Sequence, residues 1–265
     1  MKIEFVAAAG TAEILAVPVH EDRVLAGTGS ALDQATGGAL SRALSKSRVL
    51  GKAGQSLSVA APNGVEADAI LLVGVGAADG LDDLAIEAFG ANAYSAAKMS
   101  GAATLTIDAA HLTAEQAARV GFAAKLAAYR FDKYRTTEKG DKKPSIQTVR
   151  VVTSDIRAAD AAYEGLSAVA DGVIFARDLV SEPANVLYPA EFARRVKDLE
   201  RLGLTVEILG EAEMEKLGMN TLLAVGQGSR RESQLAVIQW NGGAAGDQPI
   251  AFVGKGVCFD TGGIS

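Results

Sequence analysis

The run Ile70-Leu71-Leu72-Val73 constrains this chain more than any other stretch of four residues. A strand with one face in water alternates apolar and polar side chains, whereas a strand that is apolar at every position must be covered on both faces. Such strands occur where helices lie above and below a largely parallel sheet. Similar short runs recur along the chain, and the expected strands are Ile3–Val6, Ile14–Val19, Leu57–Ala60, Ile70–Val75, Thr104–Ile107 and Val149–Thr153. Helical patterns fall between them at Asp33–Lys46, Leu81–Met99 and Ala114–Tyr129, with Asp82 or Asp83 suited to a helix start and Gly101 to the turn beyond its end. Aromatic residues make up only 5% of the chain, so the layers must pack through Ala, Val, Leu and Ile.

The pattern breaks over residues 130–145, a charged stretch with Gly140 and Pro144 that reads as a solvated loop. One more strand follows, then a long helix over Ala158–Val180. Pro183 and Pro189 forbid its continuation. Beyond them a second α/β segment is expected, with helices over Ala190–Leu202 and Glu211–Leu217 and strands over Thr205–Leu209, Leu235–Trp240 and Ile250–Val253. The fold class is therefore α/β. Residues 1–155 form an amino-terminal domain with a mainly parallel sheet, residues 156–180 a linker helix, and residues 181–265 the start of a second α/β domain, expected to be incomplete.

Charge and cysteine content narrow the function. A net charge of −6 argues against generic nucleic-acid or anionic-membrane binding, which draws on a basic surface. The single cysteine, Cys258, leaves no intramolecular disulfide and fits a reducing compartment. With no leader-like amino terminus and no apolar run of membrane-spanning length, the expectation is a cytoplasmic protein without membrane partners. The only histidines, His20 and His111, have no second histidine at ligand spacing and read as surface or loop-packing residues. Gly74–Gly80 follows a strand and precedes a helix, the context in which backbone amides hold an anion, although its spacing misses the dinucleotide fingerprint by one residue. A tight strand-to-helix turn is the reading this spacing favours.

The remaining chemistry lies in Gly254-Lys255-Gly256-Val257-Cys258-Phe259-Asp260-Thr261-Gly262-Gly263. The expected strand Ile250–Val253 would deliver Lys255 and Asp260 to a strand's carboxyl end, where α/β sheets gather their ligand sites. The Asp260 carboxylate is a hard donor suited to Zn²⁺, Mn²⁺ or Mg²⁺, and its two oxygens can bridge a metal pair. Lys255 donates only when neutral, a state that burial and an adjacent cation favour. An ordinary Lys–Asp salt bridge in a glycine turn remains the alternative reading of these residues.

The stretch Val253–Ser265 resembles the first metal-binding motif of the leucyl aminopeptidase (cytosol aminopeptidase) family. Three further segments resemble family motifs in the same order: Tyr129-Arg130-Phe131-Asp132-Lys133-Tyr134, Arg177 to Asn185 with Pro189, and Gly218-Met219 through Leu223 to Ser229. The resemblance implies a metal-dependent aminopeptidase that releases leucine-type amino-terminal residues from peptides. It makes Lys255 a ligand of one metal and Asp260 the bridge between two divalent ions, Mn²⁺ or Zn²⁺. It further implies a homohexamer with the catalytic domains at its centre. The family's catalytic lysine, its other acidic ligands and an arginine fall beyond Ser265, so the resemblance implies an incomplete site and an inactive chain. The competing reading is a non-catalytic α/β module for binding or assembly, holding a nucleotide or anion at Gly74–Gly80 or associated with DNA.

Overall fold

A computed structural model of the chain describes residues 1–79, 81–244 and 246–259. They form two compact units, Met1–Ala176 and Arg177–Ser265, and the division falls inside a single long helix.

In the first unit the expected strands are present as β1 (Lys2–Val6), β2 (Ala12–His20), β4 (Ser56–Ala60), β5 (Ala67–Gly76), β6 (Thr104–Asp108) and β7 (Thr148–Val152), with a short β3 (Val24–Leu25) added. They form one sheet in the order β1-β7-β6-β2-β5-β4, with β3 beside β2. Every pairing from β1 to β5 is parallel, and only β4 and β3 run against their neighbours. The helices are α1 (Gly29–Ala35), α2 (Ala39–Lys46), α3 (Asp83–Ala97), α4 (Ala114–Ala127) and α5 (Ile156–Ser181).

The continuous apolar runs divide between two cores as a twofold strand periodicity requires. From β2 and β5, Ile14, Ala16, Leu71 and Val73 point into one core, which Ile86 and Phe89 of α3 and Val120 of α4 complete. Leu15, Val17, Ile70 and Leu72 point into the other, closed by Leu40 and Leu44 of α2. Helices α3 and α4 pack so closely that a Cβ at Gly90 would lie 2.2 Å from the Val120 carbonyl oxygen. Asp82 caps α3 by accepting from the Ala85 amide at 2.8 Å, and Gly101 follows in the left-handed region at φ +91°. The start of α5 is tied to the first unit through Ala159 in the core and an edge-on contact of Tyr163 with Phe5, ring centroids 5.5 Å apart.

The second unit carries α6 (Pro189–Lys197), α7 (Glu211–Lys216), α8 (Asn220–Gly226), and the antiparallel pair β8 (Thr205–Leu209) and β9 (Leu235–Gln239). Pro189 opens α6 at a position where its missing N–H costs nothing.

Three expectations are corrected. The helix foreseen over Asp33–Lys46 is two helices, because Gly37 and Gly38 take left-handed backbone at φ +61° and +78° and turn the chain between α1 and α2. The helix foreseen over Ala190–Leu202 tightens to a 3-10 turn over Asp198–Leu202, which Gly203 at φ +85° ends. The strand foreseen over Ile250–Val253 is not formed. Its backbone pairs with no strand among the described residues, and Ile250, Phe252 and Val253 are 84%, 94% and 99% exposed. An apolar run becomes a strand only where a neighbour completes its ladder and a layer covers it.

Candidate functional site

The metal-ligand pair foreseen from sequence begins at Lys255, and Asp260 lies outside the described residues. Lys255 belongs to an exposed stretch without regular structure, so no strand end delivers it as expected. Locally the backbone turns, with the Val257 amide donating to the Lys255 carbonyl at 3.1 Å and the Cys258 thiol lying 3.7 Å from the Gly256 carbonyl. Cys258 is half-buried, and burial pushes its thiol pKa up, the opposite of what a thiolate nucleophile requires. The stretch is anchored at Gly256, where a Cβ would come within 2.5 Å of the Phe192 ring of α6. A side chain there would have to displace the ring.

Lys255 contributes a single nitrogen donor, and among the described residues no three His, Cys, Asp or Glu side chains gather into a metal-holding group. A site with catalytic geometry takes three protein ligands or more. The described residues alone therefore do not make a metal cage.

The stretch foreseen as the opening of the catalytic domain, Arg177–Asn185, is built around a buried carboxylate. Where α5 ends, the Glu182 amide reaches back to the Asp178 carbonyl at 3.1 Å, and Pro183 starts a turn closed by the Val186 and Leu187 amides at 2.9 Å. The Glu182 side chain is 3% exposed and lies 3.3 Å from the Arg195 guanidinium of α6. Arg195 also holds Glu191 at 2.8 Å, Glu191 takes a two-point contact from Arg194 at 2.7 and 2.9 Å, and Arg194 reaches Asp198 at 2.9 Å. Hydrogen bonds from Arg194 and then Arg195 pull the Glu191 carboxyl down to about 2. The spacing Glu191, Arg194, Arg195, Asp198 advertises a helical charge ladder in the sequence. Its link to Glu182, and the Arg231 guanidinium 3.6 Å over the Tyr188 ring, join residues whose meeting no spacing rule foretells.

Two glycine amides of the Gly74–Gly80 turn are spent inside the fold, and Gly80 lies outside the described residues. Gly74 N–H donates to the Gln55 carbonyl at 2.8 Å and Gly76 N–H to the Gly51 carbonyl at 2.9 Å. The first turn of α3 is already occupied by Asp82 as its cap and followed by Asp83. The glycines serve packing, since a Cβ at Gly74 would meet the Lys52 carbonyl oxygen at 2.1 Å. A strand-to-helix turn packed against the Lys52 backbone accounts for Gly74 and Gly76.

The two histidines sit near the same sheet edge. His20 closes β2 with Nδ1 3.3 Å from the Gly76 carbonyl oxygen. Burial holds His111 below the ordinary imidazole range, with Asp108 acting in the opposite direction and His20 in the same one. Asp108, buried at the end of β6, accepts from the Thr28 amide at 2.7 Å and hydroxyl at 2.8 Å and so pins the loop before α1. Loop packing is thus the observed role of this corner.

Two family models match the chain in order: the N-terminal domain of the cytosol aminopeptidase family over residues 16–138, and the catalytic domain of the same family over residues 174–265. A probable cytosol aminopeptidase of Caulobacter vibrioides is 55% identical over the whole of this chain, which covers 54% of that protein. One from Rhizobium meliloti is 48% identical over 86% of this chain and 47% of its own length. The chain thus spans about half the length of the curated relatives it matches. Among solved structures, a mutant tomato leucine aminopeptidase superposes with a TM-score of 0.77 at 24% identity, over 89% of this chain and 50% of that one. The bottromycin maturation enzyme BotP in complex with Mn gives 0.67 at 25% identity, over 86% of this chain and 45% of its own.

Proposed function

Since the chain belongs to the cytosol aminopeptidase family, we propose that it is the amino-terminal domain and the beginning of the catalytic domain of a metal-dependent aminopeptidase that removes leucine-type residues from peptide amino termini. The observation that carries this reading is 55% identity to a probable cytosol aminopeptidase along the entire chain. In this proposal Lys255 and Asp260 are two of the ligands of a centre for two divalent ions, and the remaining ligands lie in sequence that the relatives have and this chain does not cover. A manganese-bound structural relative at 25% identity supports the choice of Mn²⁺ to be tried first, with Zn²⁺ beside it. Bound there, a divalent ion supplies Lewis-acid polarisation of a peptide carbonyl and a water acidic enough to react at neutral pH. The chain's own contribution is placement: Gly256 sets the Lys255 segment against Phe192 of α6, and Glu182 with Arg195 ties the turn before α6 to that helix.

A cytoplasmic location and a homohexameric assembly belong to the same proposal. The lone cysteine and the relatives' name support the first. No helix among the described residues is long and apolar enough to cross a membrane.

Leucyl p-nitroanilide hydrolysis by a full-length version of the protein, with and without Mn²⁺ or Zn²⁺, tests the reading. Loss of a supporting residue around a metal ligand already costs 10–100-fold, so Asp260→Ala and Lys255→Ala are each expected to lower kcat/KM by about 100-fold or more. Hydrolysis that persists in chelator, or that Asp260→Ala leaves intact, would remove the metal-centre assignment.

A further inference from the structure

The carboxyl ends of α3 and α4 and the loop that follows α4 enclose a cavity of about 330 Å³ in the first unit, well away in sequence from Lys255. Its polar lining includes Lys98, Arg130, Arg135, Lys142, Glu138 and Tyr94, with Tyr129 beside them. Four cations face one carboxylate in a chain whose net charge is −6. Glu138 is consumed by Arg130, in close contact, and by Arg135 at 3.9 Å, while Asp132 stands 3.6 Å from Arg130. Lys98 and Lys142 have no carboxylate within ion-pairing distance among the described residues. The two helix ends contribute roughly half a negative charge each, which helps hold the cations but leaves the balance positive.

Tyr94 supplies the second observation. It is 3% exposed, with no hydrogen bond to its hydroxyl among the described residues, and it lines this cavity. Among the described residues the buried side-chain oxygen without a partner is Thr106 Oγ1, so the Tyr94 hydroxyl opens onto the cavity and can donate to an occupant. Burial raises the phenol's pKa, which keeps it a proton donor. Met99, Ala127 and Pro144 add an apolar stretch of wall.

We propose that this cavity binds a small organic anion, its carboxylate or phosphate head held by Lys98, Lys142 and the Tyr94 hydroxyl and its short apolar body against Met99, Ala127 and Pro144. Charge-assisted hydrogen bonds to the head supply the selectivity, and the apolar wall excludes fully hydrated inorganic ions. The proposal stands on the first unit alone and does not depend on aminopeptidase activity.

Calorimetric titration of the 265-residue chain with benzoate, phenyl phosphate and the neutral benzyl alcohol tests it. One saturable site per chain is expected for benzoate or phenyl phosphate, and the tighter of the two identifies the head group. Benzyl alcohol should bind roughly tenfold more weakly or worse, the factor that one charge-assisted contact supplies. Lys98→Gln with Lys142→Gln should weaken the anion by about tenfold and leave the alcohol unchanged. Tyr94→Phe, which removes a single oxygen from the core edge, should cost about threefold and keeps the test independent of the lysines. Equal binding of benzyl alcohol, anion binding that survives both variants, or no saturable binding of either anion overturns the proposal.

Discussion

Ile70-Leu71-Leu72-Val73 and Ile250-Ala251-Phe252-Val253 are nearly interchangeable as sequences, yet the structure treats them in opposite ways. The first is the middle of β5, hydrogen-bonded to β2 on one side and β4 on the other and buried between two cores. The second forms no strand and is almost wholly in solvent. Hydrophobic burial is roughly proportional to the apolar area removed from water, so a run gains it only where a second layer exists to receive it. In the first unit α2 covers one face of the sheet and α3 with α4 the other. The second unit's described sheet has two strands, β8 and β9, too few to make a stable layer unaided. An apolar run is a request for a strand, and the neighbours decide whether it is granted.

The contrast can be broken by substitution. Leu72→Ala empties a fully buried site and should cost about 3 kcal/mol, seen in urea unfolding of the first unit. Gly90→Val must force α3 off the Val120 backbone and should cost about 2–3 kcal/mol in the same experiment. Asp82→Ala, which uncaps α3, should cost about 1 kcal/mol.

The charge ladder of the second unit gives a pH-dependent effect. Glu191 ionises with a pKa near 2 in the folded chain against a usual value of 4.5. Above pH 4.5 its contribution is fully present, and it fades as pH falls from 4.5 to 2. Glu191→Gln should therefore lower stability at neutral pH and flatten the acid limb of a denaturation profile over that window. An unaltered acid limb would show that Arg194 and Arg195 do not hold this carboxylate in solution.

At the small end, Phe252→Ser should change stability by no more than ~0.5 kcal/mol, because the side chain it removes is already in water. Amide hydrogen exchange sharpens the same point: β5 should be among the slowest regions and residues 250–257 among the fastest. If Phe252→Ser costs as much as Leu72→Ala, the comparison between the two runs fails.

Much of the first unit was legible beforehand because its signals are local. Twofold alternation between two cores, the cap at Asp82 and the stop at Gly101 each follow from a few adjacent residues. The break between α1 and α2 was equally present in Gly37-Gly38, but an amphipathic pattern spanning Asp33–Lys46 hid it. The candidate site was less legible. Lys255 and Asp260 stand out only as donor types at a spacing, and Asp260 lies outside the described residues. Glu182 joins Arg195 across thirteen positions, and Tyr94 meets Lys142 across a cavity. Neither relation has a periodicity that a reader of sequence can follow.

The sequence by itself determined the α/β class, the parallel sheet, the positions of nearly all strands and the family, since each rests on short-range pattern or on motif order. Tertiary structure decided which apolar runs become strands, which glycines meet a neighbouring backbone, and where cations gather around the Tyr94 hydroxyl. The reason is physical: ladder partners, covering layers and charge balance are supplied by residues far apart in the chain, and only folding brings them within range of one another.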